Sequence, residues 1–199
     1  MASPESYRDT SFERLVALAA HDLRTPLATI FGFSRTLGRD ATLTPEQLKY
    51  VAMIESSSKQ LEELVAELAL VARIVSGRYQ PRLEEGDSLA VARYAEEHLG
   101  ADRVLLSGPG GRVSIDRQPV ERAVSALIQA TLRHGAQEQV TVVASGAEIS
   151  CERITKIAAP VVLGQEIRDL GAAAGVRLIE HLGGAVTVDG ERLLIRLPA

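Results

Sequence analysis

Three polar residues in one short stretch have side chains suited to carrying and moving a phosphoryl group. His21 offers an imidazole, Asp22 follows it directly, and Thr25 comes about one helical turn later. An imidazole nitrogen is a nucleophile, and an adjacent carboxylate can fix the tautomer of the ring and stabilise its charged phosphorylated form. A hydroxyl four residues further on lies on the same side of a helix, where it can orient a water molecule towards an acyl phosphate.

Pro26 follows Thr25 and disturbs any helix that passes through it. Proline lacks the N–H that would bond to the carbonyl of Asp22, and its ring clashes with that carbonyl. We therefore expect a kink beside the histidine, which would let the helix change shape as the site is used. A lone histidine on a helix surface usually has no function, so the interpretation depends on the whole stretch.

The pattern around this stretch predicts two long helices joined by a short loop. Apolar residues recur at alternating spacings of four and three over residues 11–37 and again over residues 44–76. The first series is Phe12, Val16, Ala19, Leu23, Pro26, Ile30, Phe33 and Leu37. The second series is Val51, Ile54, Ser58, Leu61, Val65, Leu68, Ala72 and Val75. His21 falls between positions of the first series and is predicted to face outward.

The ends of the second helix have their own signals. Thr44 and Gln47 predict a capping box around Pro45, and Gly77 suits the C-terminal end. One hairpin cannot bury two apolar faces of this width, but two hairpins can bury them as a four-helix bundle. The pattern therefore predicts a homodimer.

The periodicity changes after residue 79. Residues 79–87 contain Pro81, Gly86 and several charges, and are predicted to form a linker. Short helices are then predicted over 88–99, with Ser88 as a possible cap, and over 119–133 and 172–182. Strands are predicted over 103–106, 113–115, 139–143, 147–151, 185–188 and 192–197, the last two joined at Asp189-Gly190. The predicted fold is a helical hairpin (11–80) after a polar segment (1–10), followed by an α/β sandwich (88–199).

Composition narrows the class of protein. The chain has 199 residues, a net charge of −4 and a single cysteine, Cys151, which is predicted to be a core residue. Mild acidity gives no reason to expect nucleic acid as a partner. No apolar run approaches the roughly 18 residues of a membrane span. Four scattered histidines do not predict a metal site. A cytoplasmic location is the expectation.

The string His21-Asp22-Leu23-Arg24-Thr25-Pro26-Leu27 closely resembles the phosphoacceptor box of two-component sensor histidine kinases. The resemblance implies that His21 is the phosphorylated residue and that Asp22 assists its activation. It also implies that Thr25 serves dephosphorylation of a response regulator. Pro26 matches the position at which the kink is expected.

The second half resembles the ATP-binding domain of the same family, a Bergerat-type α/β sandwich. Residues 113–117 resemble the strand and aspartate before the first nucleotide helix, and residues 126–135 resemble the asparagine box. Residues 170–184 resemble the second glycine box with its helix, and residues 193–198 resemble the final strand. In these positions His134 is predicted to pack rather than to catalyse.

The departures from that domain fall on the residues that bind nucleotide. Ala130 stands where the family has its Mg²⁺-binding asparagine, and Gln129 stands where an acidic residue is usual. No Asp-x-Gly-x-Gly occurs, and the stretch up to Gly171 is too short for the usual nucleotide lid. Gly171 is the one phosphate-cradling glycine left, and a weak candidate. No cofactor is therefore expected, neither ATP nor Mg²⁺.

Three functions fit these observations. The favoured one is a histidine phosphotransferase in which His21 exchanges a phosphoryl group with receiver aspartates of response regulators, with an upstream kinase as a further partner. The second is an ATP-dependent sensor histidine kinase with an atypical nucleotide site, which would need ATP and Mg²⁺. The third is a non-catalytic dimeric scaffold that binds a response regulator. A phosphatase that uses Thr25 stands between them.

Overall fold

In the computed structural model the chain divides into two compact units, Met1–Tyr79 and Gln80–Ala199. The structure describes residues 4–40 and 42–199, with residues 4–14 described by their backbone alone. The first unit consists of helices α1 (Pro4–Leu37) and α2 (Pro45–Val75), which pack against each other. The predicted helical hairpin is confirmed.

Helix α1 begins at Pro4 rather than at the predicted Ser11. Its first turns are polar, so they carry no apolar periodicity from which a helix could be predicted. Residues 1–3 of the predicted N-terminal segment, and the side chain of Phe12, lie outside the described residues.

Both ends of α2 have the structures that the sequence predicts. The N–H of Gln47 donates to the Thr44 hydroxyl over 3.2 Å, and the N–H of Thr44 donates to the Gln47 side chain over 2.9 Å. At the other end Gly77 has a φ of +66° and donates its N–H to the carbonyl of Ile74. The next N–H, that of Arg78, reaches the carbonyl of Arg73 over 2.8 Å. This pair of bonds is a Schellman motif, which ends the helix sharply.

The hairpin core is built from small and medium side chains at intervals of seven. On α1 these buried residues are Ala20, Leu27 and Ser34, and on α2 they are Val51, Ser58, Val65 and Ala72. The α2 residues belong to the predicted series, but the α1 residues lie one position after Ala19, Pro26 and Phe33. The prediction followed the largest apolar residues, whereas close helix packing uses alanine and serine, which carry little apolar signal.

Most of the predicted α1 series, and every second member of the α2 series, are exposed. Phe33 is 68% exposed, and its neighbours on the same stripe are each exposed by more than a third. These residues are Leu23, Ile30 and Leu37 on α1, and Ile54, Leu61, Leu68 and Val75 on α2. The hairpin therefore has one apolar face turned to its own partner helix and a second apolar face turned to solvent.

The second unit is an α/β sandwich, as predicted. Its strands are β1 (Glu84–Asp87), β2 (Val104–Gly110), β3 (Arg112–Ile115), β4 (Val140–Ser145), β5 (Glu148–Glu152), β6 (Ala185–Asp189) and β7 (Arg192–Arg196). Its helices are α3 (Ser88–Leu99), α4 (Arg117–Gly135), α5 (Ala159–Val162) and α6 (Leu170–His181). Five strands form one sheet in the order β2-β4-β5-β7-β6, and β1 pairs with β3.

Alternation along the strands decides which sheet face is buried. Strands β4, β5 and β7 bury every second residue, and the register places Ile149 of β5 opposite Ala144 on one side and Ile195 on the other. Helix α3 packs against β2 and β4, α6 packs against β6, and α4 packs against both α3 and α6. The sheet and these helices therefore enclose a single apolar core.

Three local predictions for this unit were wrong. The predicted linker, residues 79–87, contains strand β1. The charged sequence of β1 has no apolar alternation that would predict a strand. The strand forms because it pairs with β3, which is a tertiary contact. The cap of α3 is Asp87 and not Ser88, whose hydroxyl instead donates to the carbonyl of Gly146 over 2.7 Å. Strand β2 continues through its glycine-rich end to Gly110, with a shift in register after Ser107.

The structure contains no helix, in its described part, that is both long and apolar enough to cross a bilayer.

Gly108 provides a test of the β2–β4 approach. Its φ is +109°, and an added Cβ would collide with the carbonyl of Ala144 on β4. Gly183 is a matched control, because its φ is +87° but nothing lies within 4 Å of an added Cβ. We expect Gly183→Ala to cost about 1 kcal/mol from backbone strain alone. Gly108→Ala should cost at least about 2 kcal/mol more, because a backbone atom must also shift. Urea unfolding measures both, and equal losses would contradict the close approach.

Candidate functional site

The phosphoacceptor-like stretch lies on the exposed surface of α1, between two buried residues. Ala20 is 2% exposed and Leu27 is 8% exposed, and both pack with Val65 of α2. His21 immediately follows Ala20 and is exposed, as are the residues from Asp22 to Pro26. The two buried anchors therefore fix the rotation of α1 about its axis and turn His21 towards solvent, as the sequence predicts.

The polar side chains of this stretch have no partners among the described residues. Within the described parts of the chain, His21, Asp22, Arg24 and Thr25 make no side-chain hydrogen bond or ion pair. The hydroxyl of Thr29, by contrast, donates to the carbonyl of Thr25 over 3.0 Å. An exposed imidazole, a carboxylate and a free hydroxyl are thus available together to a molecule that approaches α1. The bond from the His21 ring to Asp22 stays a prediction.

Pro26 lies inside α1, which continues through it to Leu37. The carbonyl of Asp22 consequently has no backbone donor at the position where the helix would provide one. The helix thus has a backbone defect one turn after His21. The kink that we expect there stays a prediction.

In the second unit, the three positions that resemble a nucleotide site differ from one another in burial. Ala130 is fully buried in α4, with its methyl group in the core, and Gln129 is exposed. Gly171 is buried in the first turn of α6. These three positions therefore do not present a shared set of oxygen ligands.

The N-terminus of α6 is capped by the chain's own carboxylate. One oxygen of Asp169 accepts the N–H of Ala172 over 3.1 Å. The other accepts from Arg133 over 2.9 Å and lies 3.2 Å from the His134 ring nitrogen. The Asp169 side chain is only 7% exposed. This carboxylate ties the C-terminal turn of α4 to the start of α6.

This cluster does not follow from the predictions made for the sequence. His134 is predicted there to pack, and Asp169 has no predicted role. A detectable signal was present, because an aspartate just before an apolar helix is a common N-cap. The pairing with Arg133 was not detectable, since the two residues are 36 positions apart in the chain.

Two cavities lie on another part of the second unit. A small one of about 60 Å³ is lined by residues of β1, α3 and β3 and by the Arg117–Glu121 ion pair of α4. A more open one of about 530 Å³ adjoins it and is lined by the first turns of α4 together with Arg82 and Glu84. Neither is lined by Gln129, Ala130 or Gly171. Across residues 4–40 and 42–199, no three His, Cys, Asp or Glu side chains gather as metal ligands.

Cys151 is fully buried in β5, which confirms the predicted core position. Burial raises the pKa of its thiol to about 12, with a smaller contribution from the charge of Glu152. A thiol that keeps its proton at neutral pH is a poor nucleophile. Cys151 is therefore a core residue of the sheet and a poor candidate for a nucleophile.

Comparison with known proteins identifies the first unit. Residues 13–77 match the family model of the His Kinase A (phospho-acceptor) domain. The hairpin is a histidine kinase phospho-acceptor domain. The match includes His21, α1 from residue 13 onward and the whole of α2, so the exposed histidine lies within the domain that has this name.

The relatives of the chain are sensor histidine kinases. The methanogenesis regulatory histidine kinase FilI of Methanothrix harundinacea is 28% identical over 135 residues, which cover 64% of this chain and 15% of that protein. An uncharacterized sensor-like histidine kinase of Rhizobium meliloti is 23% identical in an alignment that covers the whole of this chain and 45% of that protein. The chain thus spans less than half the length of either relative.

The fold is also that of a histidine kinase. The crystal structure of full-length ShkA in complex with AMPPNP superimposes with a TM-score of 0.68 at 21% identity, covering 93% of this chain and 45% of that one. At this identity the likeness concerns the fold alone. Both units therefore have counterparts in the ShkA structure.

Asp169 should matter for stability more than a surface ion pair does. We expect Asp169→Ala to cost about 1–2 kcal/mol, because it removes the cap of α6 and the partner of Arg133. The control is Asp189→Ala, since Asp189 is 73% exposed and lies 3.6 Å from Arg192. A surface pair of this kind contributes at most about 1 kcal/mol, and often nothing measurable. Urea unfolding of the second unit compares them, and equal losses would show that the Asp169 cluster is not a structural tie.

The buried thiol of Cys151 should make the second unit less stable at alkaline pH. An ordinary thiol has a pKa of 9.0 and that of Cys151 is raised to about 12, so between these values the unfolded chain releases a proton that the folded chain keeps. Stability due to this group is complete below pH 9 and is lost as the pH rises through the window. Between pH 9 and 10 we expect the unfolding free energy of wild type to fall by about 1 kcal/mol more than that of Cys151→Ala. Parallel pH profiles would contradict this.

Proposed function

We propose that His21 carries a phosphoryl group which it exchanges with the aspartates of response-regulator receiver domains. The observation that carries the proposal is the complete phosphoacceptor stretch, exposed and uncommitted, on a phospho-acceptor hairpin. His21 is reachable from solvent, and Asp22 and Thr25 lie on the same exposed surface. A cytoplasmic location remains a prediction.

On this chain, phosphoryl transfer uses residues of this exposed surface. A ring nitrogen of His21 attacks the phosphorus of a receiver aspartyl phosphate, so that the N–P bond forms, the P–O bond breaks and the aspartate carboxylate leaves. The ring then carries a positive charge, which the adjacent carboxylate of Asp22 stabilises. Transfer to a second receiver reverses these steps.

Thr25 has a separate role in this proposal. Its free hydroxyl orients a water molecule for attack on the aspartyl phosphate of a bound receiver, which returns that receiver to its unphosphorylated form. Pro26 allows α1 to bend next to these residues, so the helix can change shape between phosphoryl transfer and hydrolysis. The two side chains thus handle the same phosphoryl group, His21 by accepting it and Thr25 by assisting its hydrolysis.

The residues of the second unit do not fit a Mg²⁺-nucleotide. A metal-ligating oxygen is needed where Ala130 has a buried methyl group. A phosphate would also need the free N–H groups of a helix N-terminus, and at α6 the carboxylate of Asp169 already accepts one of them. We infer that this unit has kept the fold and lost nucleotide binding, and that phosphoryl groups reach His21 from receivers or an upstream kinase.

The hairpin is proposed to function as a homodimer. Its second apolar face, which contains Leu23, Ile30, Ile54 and Leu61, is exposed in one chain. Exposed apolar stripes along two adjacent helices are the surfaces that a four-helix bundle buries. His21 does not belong to this stripe and would stay accessible in the bundle.

An ATP-dependent kinase is the second candidate, because the relatives are named sensor histidine kinases and ShkA was solved with AMPPNP. A scaffold without phosphoryl chemistry is the third, and it makes His21 dispensable. Incubation with radiolabelled ATP and Mg²⁺ separates the first two. We expect no label on wild type, and label that is lost in His21→Ala would establish the kinase.

The phosphotransfer test uses a panel of purified receiver domains, each phosphorylated with radiolabelled acetyl phosphate. We expect acid-labile, alkali-stable label to pass from at least one receiver to wild-type protein and not to His21→Ala. The mutant should still bind that receiver, because the imidazole is one small part of the exposed surface. Binding without transfer by wild type would favour the scaffold instead.

The proposed dimer predicts a difference between two faces of α1. Ile30→Glu introduces a charge into the apolar stripe, whereas Ala28→Glu places the same charge on an exposed residue outside it. We expect Ile30→Glu to weaken association by at least about tenfold, since a buried unpaired charge is costly. Ala28→Glu should leave it unchanged. Sedimentation equilibrium measures both, and a monomeric wild type would contradict the dimer.

A further inference from the structure

The carbonyl of Thr25, four residues after His21, accepts a side-chain hydrogen bond. The hydroxyl of Thr29 donates to it over 3.0 Å. In an α-helix the N–H of Thr29 bonds to the same carbonyl. Thr29 therefore holds the backbone of Thr25 with two donors, one from its main chain and one from its side chain.

The preceding turn of α1 has the opposite defect. Pro26 has no N–H, so the carbonyl of Asp22 lacks its helical donor. Within one turn the helix thus has one carbonyl without a donor and one with two. Proline kinks helices, and a threonine hydroxyl bonded to the carbonyl four residues back bends them. Pro26 and Thr29 are thus two residues of this turn that can alter the backbone direction at Thr25.

We propose that Thr29 is a positioning residue for Thr25. By holding the Thr25 carbonyl, its hydroxyl fixes the backbone on which the free Thr25 hydroxyl stands, and so fixes where that hydroxyl meets a phosphorylated receiver. This inference rests on the proposed role of Thr25 in hydrolysis. Thr29 itself touches no reacting atom.

The step that Thr29 supports is hydrolysis of the receiver's aspartyl phosphate. Water held by the Thr25 hydroxyl attacks the phosphorus, the bond between phosphorus and the aspartate oxygen breaks, and the carboxylate and inorganic phosphate leave. The proton of the water passes to solvent. Orientation of the attacking water is sensitive to small displacements of the group that holds it. Phosphoryl transfer to His21 does not use the Thr25 hydroxyl and depends less on its direction.

The test compares three variants of the full chain. Thr29→Val removes the hydroxyl and keeps the branched shape, and Thr29→Ser restores a hydroxyl. Thr36→Val is the matched control, because the Thr36 hydroxyl makes the same kind of bond, to the carbonyl of Gly32 over 2.9 Å, further from Pro26. Three quantities are measured: the carbonyl ¹³C chemical shift of Thr25, the rate of receiver dephosphorylation and the rate of phosphoryl transfer to His21. The receiver is one that exchanges label with wild type.

We expect Thr29→Val to move the Thr25 carbonyl shift and to slow dephosphorylation by roughly tenfold, while transfer to His21 changes less than about twofold. Thr29→Ser should recover both quantities, and Thr36→Val should alter neither. A general loss of structure would lower both rates together, which overturns the positioning role. Unchanged dephosphorylation in Thr29→Val overturns it as well.

Failure of the proposed function would look different. If wild type dephosphorylates a receiver and Thr25→Ala does so equally, then the role of Thr25 is wrong and the inference falls with it. If wild type exchanges phosphate with no receiver, the function proposed for His21 fails and so does this inference. In both cases the ¹³C shift still shows whether the bond from Thr29 exists.

Discussion

The accessibility of His21 depends on one contact inside the hairpin. Ala20 and Leu27 of α1 pack against Val65 of α2, and they stand on either side of the stretch from His21 to Pro26. Because the two anchors are seven residues apart, they bury one side of two helical turns and leave the other side to solvent. The polar side chains of the stretch are therefore exposed, and none of them has to be buried in the core.

Small residues at this contact have a second effect. Alanine at position 20, and serines at 34 and 58 whose hydroxyls bond within their own helices, allow the two helices to lie close. The larger apolar side chains then lie on a neighbouring stripe, where they are exposed. One sequence pattern thus encodes a packing surface within the hairpin and a second apolar surface that faces solvent.

The sequence predicted the architecture well and the local chemistry of the second unit less well. Both long helices, the capping box at Thr44 and the closing β6–β7 hairpin follow from periodicity and turn residues, which are local signals. Strand β1 and the Asp169 cluster depend on partners that are distant in the chain, for which one sequence has no signal. The direction of His21 was predictable, whereas the bond from Thr29 to the Thr25 carbonyl required coordinates.

The exposed apolar stripe links the stability of the first unit to the dimer proposed above. If two hairpins associate through this stripe, association adds to the stability of each hairpin, and the folded fraction of the first unit rises with protein concentration. The second unit encloses its own core and has no such dependence. Under the proposed association, dilution would therefore unfold the histidine-bearing hairpin before the second unit, so the concentration of the protein would set the proportion of molecules with a folded hairpin.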